Sequence, residues 1–172
     1  MALPKDHSLH QAARKKSVLA YGLKVCCCSV VKPRIDLAPG AELNSLACWA
    51  HEQLLAALAG ASSAKLHELR SLRAAVVFVA VDQRFSTTLR FDHGDVTIHD
   101  GIVGIPDLTF CGDLRLIESL IRLRFGRFSR LPLLRDQAVR RFLADVASGE
   151  LKVYGLFTKL HTVVRVLRLF QN

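Results

Sequence analysis

Residues 85–98 read Phe-Ser-Thr-Thr-Leu-Arg-Phe-Asp-His-Gly-Asp-Val-Thr-Ile. Side chains alternate across an extended chain, so Phe85, Leu89 and Phe91 fall on one face and Ser86, Thr88 and Arg90 on the other. Asp92-His93-Gly94-Asp95 then supplies a four-residue connection, with Gly94 free to take a positive φ. Val96 and Ile98 resume the alternation against Thr97 and His99. The stretch predicts a β-hairpin with one dry face and one wetter face.

Working towards the C-terminus, Asp100-Gly101 marks a turn, and Leu108 with Phe110 gives a further short strand. Gly112-Asp113 caps a helix carrying Leu116, Ile117, Leu120, Ile121 and Leu123, and a basic connection from Gly126 to Pro132 follows. A helix over about Leu134–Ala147 lines up Ala138, Val139, Phe142, Leu143 and Val146, and Gly149 ends it. Leu151 and Val153 point inward from the last strand. The final helix, Phe157–Phe170, is apolar over more than one stripe and must serve a groove, a cavity, a partner or a membrane as well as a core.

Towards the N-terminus, Ala74–Val81 is continuously apolar, as suits a strand covered on both faces. Asn44 or Ser45 caps a helix whose face is Leu46, Trp49, Ala50, Leu54, Leu55 and Leu58 and which Gly60 stops. Ser62 or Ser63 caps a second segment through Leu66, Leu69 and Leu72. Residues 1–35 read as a basic, partly flexible arm, and residues 36–172 as a single domain. Arg14-Lys15-Lys16 followed by Ser17–Val31 looks superficially like a signal peptide, but Lys24 interrupts the run and no small-x-small site follows. The run also falls short of the ~20 apolar residues of a spanning helix.

The chain has 172 residues, is 51% hydrophobic and carries a formal charge of +9. That much apolar content implies a large core or an apolar surface facing a ligand, partner or membrane. The charge is uneven: Lys5, Arg14, Lys15, Lys16, Lys24, Lys32 and Arg34 face only Asp6, and the arginines from Arg115 to Arg141 face only Glu118 and Asp136. Such asymmetry calls for an anionic partner, and an anionic lipid surface is favoured over nucleic acid because Phe125, Phe128 and Phe142 form no base-stacking ladder. Arg115, Arg122, Arg124, Arg127 and Arg130, interleaved with Leu123, Phe125 and Phe128, are the candidate membrane patch.

Cys26, Cys27, Cys28, Cys48 and Cys111 contain no C-x-x-C pair, so a zinc site or a disulfide framework is not expected and a reducing cytosol is. The consecutive Cys26–Cys28 could instead be palmitoylated or sit in an arm that docks a protein partner. His51-Glu52 lacks the second histidine of a zinc-protease helix, because position 55 is Leu. His93 and His99 with Asp92, Asp95 and Asp100 have metal-ligand chemistry but read more simply as turn residues. There is no nucleophile elbow, Cys111 has no evident histidine partner, and Gly101 and Gly104 make no phosphate loop. The sequence therefore predicts no catalytic residue, no cofactor and no metal.

The order of these elements resembles the sterol carrier protein type 2 family over about residues 71–170. The resemblance rests on the hairpin Phe85–Ile98, on Pro106-Asp107-Leu108-Thr109-Phe110, and most on Gly149-Glu150-Leu151-Lys152-Val153-Tyr154-Gly155. It implies an α/β (α+β) fold: a five-stranded, mostly antiparallel sheet with helices on one face, enclosing an apolar tunnel. It also implies a carrier for a fatty acid, sterol or polyprenyl lipid, and the family's bacterial members include accessory factors of ubiquinone biosynthesis that hold a polyprenyl intermediate. The expected tunnel wall is Phe85, Leu89, Phe91, Leu108, Phe110, Leu120, Phe142, Leu160, Val164 and Leu167, where strand parity and helical stripes converge. Two departures stand out: Arg122–Leu134 is long and basic for the family, and the N-terminal ~70 residues have no counterpart in it. A nucleic-acid-binding module is the competing class.

Overall fold

The computed structural model describes residues 33–121, 123 and 136–171. Strands β1 (Arg34–Leu37), β2 (Arg73–Ala80), β3 (Phe85–Asp92), β4 (Asp95–Asp100), β5 (Leu108–Gly112) and β6 (Lys152–Tyr154) form one sheet in the order β1-β4-β3-β2-β5-β6. The helices are α1 (Ser45–Ala59), α2 (Ser63–Arg70), α3 (Leu114–Leu120), α4 (Gln137–Ser148) and α5 (Leu160–Leu169). β2–β3, β3–β4 and β5–β6 pair antiparallel, while β1–β4 and β2–β5 pair parallel.

The register puts the apolar positions in cross-strand rows. Leu37, Ile98, Leu89, Val76 and Leu108 form one row, and Ile35, Val96, Phe91 and Ala74 another. These rows make the inner face, on which α1 covers β1, β3 and β4, while α3 covers β2 and β5. Four aromatic rings mark the centre: Phe78 stacks on Phe110 at 5.4 Å and meets Phe170 and Trp49 edge-on at 6.1 and 6.5 Å. From α5, Val163, Val166, Leu167 and Leu169 join this core.

Local chemistry explains where the helices begin. The Asn44 carboxamide oxygen accepts from the N–H groups of Leu46 and Ala47, and its nitrogen donates to the Ser86 carbonyl at 2.7 Å and to Asp100 Oδ1. One buried side chain thus caps α1 and pins it to the β3–β4 end of the sheet. Ser62 caps α2 through Lys65 N–H, and Asp136 caps α4 through Ala138 N–H.

The structure corrects several sequence expectations. The sheet has six strands rather than five, because Arg34–Leu37, between Pro33 and Pro39, adds a parallel edge strand beside β4. The hairpin connection is tighter than four residues: Asp92 still pairs with Asp95, leaving His93-Gly94, both at positive φ, as the turn. Thr88 is buried rather than on a wet face. The chain after β4 crosses the outer face, where the Thr88 hydroxyl donates to the Gly101 carbonyl at 2.7 Å and accepts from Val103 N–H at 3.0 Å. The last helix starts at Leu160 rather than Phe157, and Phe157 lies in the preceding turn, in solvent. The Cys26–Cys28 arm and the basic connection from Gly126 to Pro132 lie outside the described residues.

Asp82, in the turn after β2, accepts the Leu114 N–H at 2.9 Å and so ties that turn to the start of α3. This bond is the main reason its carboxyl titrates below the ordinary 3.8. A depressed carboxylate contributes stability that is fully present above its unfolded value and is lost as pH falls through the lower folded value. Asp82→Ala should therefore lower the thermal midpoint modestly near neutral pH, with the gap to wild type closing in that acidic window. A gap that stays constant down to the lowest pH would assign the effect to something other than the carboxylate.

Candidate functional groove

Residues Ala64, His67, Glu68 and Ser71 recur at helical spacing along α2 and its last turn, as do Leu160, Val164 and Arg168 with His161 and Arg165 along α5. The two helices pack side by side and leave between them a groove of about 640 Å³ lined by these residues. α5 divides its apolar residues between two tasks: Val163, Val166, Leu167 and Leu169 enter the core, while Leu160 and Val164 face the groove.

The polar wall is tied together. Arg168 Nη1 lies 3.2 Å from Glu68 Oε1 in a largely sheltered ion pair. Arg165 Nη2 donates to the Glu68 carbonyl at 2.8 Å and to the Ser71 hydroxyl, which itself donates back to the Glu68 carbonyl at 3.0 Å. Lys65 donates to the carbonyls of Ala57, at 2.8 Å, and Gln171. Burial holds the Lys65 ammonium below its ordinary 10.5, opposed by the nearby Glu68 charge. The Ser71 hydroxyl, engaged by a carbonyl and a guanidinium, has the partners of a structural group and not of an activated nucleophile. The groove sets an apolar strip, Ala64, Leu160 and Val164, beside the guanidinium groups of Arg165 and Arg168.

The sequence-predicted wall residues fall in three places. Leu160 and Val164 line the groove. Leu89, Phe91, Leu108, Phe110, Leu120 and Leu167 are fully buried in the core, and Phe142 packs half-buried against it. Phe85 opens β3 at the sheet's end, partly exposed. Of the arginine patch, Arg115 is exposed on α3, while Arg122, Arg124, Arg127 and Arg130 lie outside the described residues. The contribution of α2 escaped the sequence reading. Its one available signal was that α5 holds more apolar residues than a single stripe requires.

Among the described residues, no group of three or more His, Cys, Asp or Glu could hold a metal ion, and no helix is long and apolar enough to cross a membrane.

No protein-family model matches the chain, and no curated protein matches it. Among solved structures it is similar to the ubiquinone synthesis protein UbiJ-SCP2, with a TM-score of 0.51 and 19% identity over 73% of this chain and 92% of that one. A conserved hypothetical protein from Thermus thermophilus, described as a candidate sterol carrier protein, aligns with a TM-score of 0.35 and 13% identity over 63% of this chain and 78% of that one. The first alignment establishes the architecture: a mixed α/β fold of the sterol-carrier-protein-2-like kind.

Proposed function

We propose that the chain is a non-catalytic lipid-binding protein that holds a fatty acyl, sterol or polyprenyl lipid in the α2–α5 groove. The observation that carries this reading is the groove itself, about 640 Å³ in volume, with Leu160 and Val164 on its wall and Arg165 and Arg168 beside them. That volume suits one lipid-sized ligand. Glu68, Ser71, Arg165 and Arg168 are tied to one another, which suits the two guanidinium groups to orienting a head group. Leu160 and Val164 touch the ligand in this reading. Leu89, Phe91, Leu108, Phe110, Leu120 and Leu167 belong to the packed core rather than to the groove wall, and Phe142 packs against that core.

A fluorescent fatty acid should bind saturably, and Val164→Asp, which puts a carboxylate on the apolar strip and repels the fatty-acid head, should weaken that binding about tenfold or more, roughly 1.4 kcal/mol. Val164 is only half-buried, so the variant should keep the wild-type thermal midpoint. Unchanged affinity in a folded Val164→Asp protein would show that the groove is not the lipid site.

A finer reading makes the lipid a polyprenyl intermediate of ubiquinone synthesis, presented to the enzymes that act on it. What favours it is the likeness in fold to a ubiquinone synthesis protein. Extracted lipid with a polyprenyl mass supports it, and a fatty acid or sterol as the sole ligand contradicts it.

A further inference from the structure

Two turns at one end of the sheet hold large apolar side chains almost wholly in solvent: Ile105, 93% exposed, before β5, and Phe157, 95% exposed, before α5. The register places them together, because β2 and β5 begin at this end and β6 finishes there. The turns also meet. Lys159 Nζ lies 3.4 Å from Asp107 Oδ1, and Pro106, Asp107, Gly155, Thr158 and Lys159 line one cleft of about 370 Å³. Leu160, the end of the groove, follows directly and is 54% exposed.

Cations surround these two tips. Arg73 and Arg90 share a cavity of about 270 Å³ with Ile105, and Lys159 stands between the turns. The acids at this end are Asp92, 4.0 Å from Arg73, Asp95 and Asp107, which accepts from Ala75 N–H and faces Lys159. Those three acids equal the three cations named, whereas the opposite end is net acidic among the described residues: Glu42, Asp82, Asp100, Asp113 and Glu150 against Arg84, Arg115 and Lys152.

We propose that the Ile105–Phe157 end docks on an anionic lipid bilayer. Single apolar side chains on separate turn tips with cations between them fit insertion at the head-group boundary, where basic residues are attracted and apolar ones are buried. A protein interface would instead need a broad, continuous complementary surface. Docking here brings the Leu160 end of the groove to the bilayer. That consequence rests on the lipid-binding reading, whereas the docking itself does not.

The test is cosedimentation of the full chain with vesicles of equal parts phosphatidylcholine and phosphatidylglycerol, against vesicles of pure phosphatidylcholine. Binding should be confined to the anionic vesicles and fall at high salt. Ile105→Ser/Phe157→Ser and, separately, Arg73→Glu should each weaken it about tenfold, with thermal midpoints and fatty-acid titration as in wild type. Leu43→Ser, which changes a side chain 86% exposed at the opposite end, should bind as wild type. Equal binding to neutral vesicles overturns the proposal. So does undiminished binding by the Ile105/Phe157 variant, or a loss seen only with Leu43→Ser or Arg124→Glu/Arg127→Glu. Loss of vesicle binding with intact fatty-acid titration separates this surface from the groove.

Discussion

Phe110→Ala should lower the unfolding free energy by about 3–5 kcal/mol, the range for removing a fully buried aromatic ring from a packed core. Phe110 is wholly inaccessible, and its ring lies on Phe78 at 5.4 Å with 26° between the planes. Phe78 in turn meets Phe170, just after α5, and Trp49 of α1. Phe78, the ring's stacked neighbour, is thus held by Trp49 and Phe170 and cannot readily shift to fill the gap. Denaturant unfolding of the variant beside wild type measures the loss. Phe157→Ala is the matched control: the same truncation at a side chain in solvent should cost about 0.5 kcal/mol or less. Equal effects at the two positions would contradict the assigned core.

Gly155→Ala should cost about 3 kcal/mol or more, although it adds a single methyl group. Gly155 has φ +85°, which already disfavours a side chain, and an added Cβ would stand 2.4 Å from the Asp107 carbonyl oxygen. That oxygen is backbone, held where Asp107 N–H donates to the Ala75 carbonyl at 2.8 Å, so it cannot step aside cheaply. Gly149→Ala isolates the clash. Gly149 has a similar φ of +80° but nothing near the added Cβ, so only the conformational cost of about 1 kcal/mol should appear. A loss at 155 no larger than at 149 would show that the β6–α5 turn does not press against the segment before β5.

Much of the fold was legible because its signals are local. Asn44 and Ser62 announce their helices with side chains that reach N–H groups two or three residues ahead; Asp136 does the same for α4, a cap that the reading of a helix from about Leu134 misses. β2 reads as apolar from Ala74 onward, and its side chains there are buried or half-buried on both faces of the sheet. β1 was not legible: Arg34-Ile35-Asp36-Leu37 becomes a strand only because β4, about sixty residues later, offers an edge. The burial of Thr88 depends in the same way on a segment that crosses over it. The groove is the least local feature. Arg165 and Glu68 are 97 residues apart, and nothing in either helix alone indicates that they meet. Strand parity points Leu108 and Phe110 inward correctly, but parity does not distinguish a side chain that lines a cavity from one that fills the core.

The central claim is that the α2–α5 groove holds a lipid. Native mass spectrometry of the freshly purified full chain, with Val164→Asp purified alongside, tests it most directly. The account predicts a stoichiometric lipid mass on the wild-type protein that is absent or much reduced on the variant. A wild-type protein that carries no lipid and takes none up on titration, or one that copurifies with oligonucleotide instead, would contradict it.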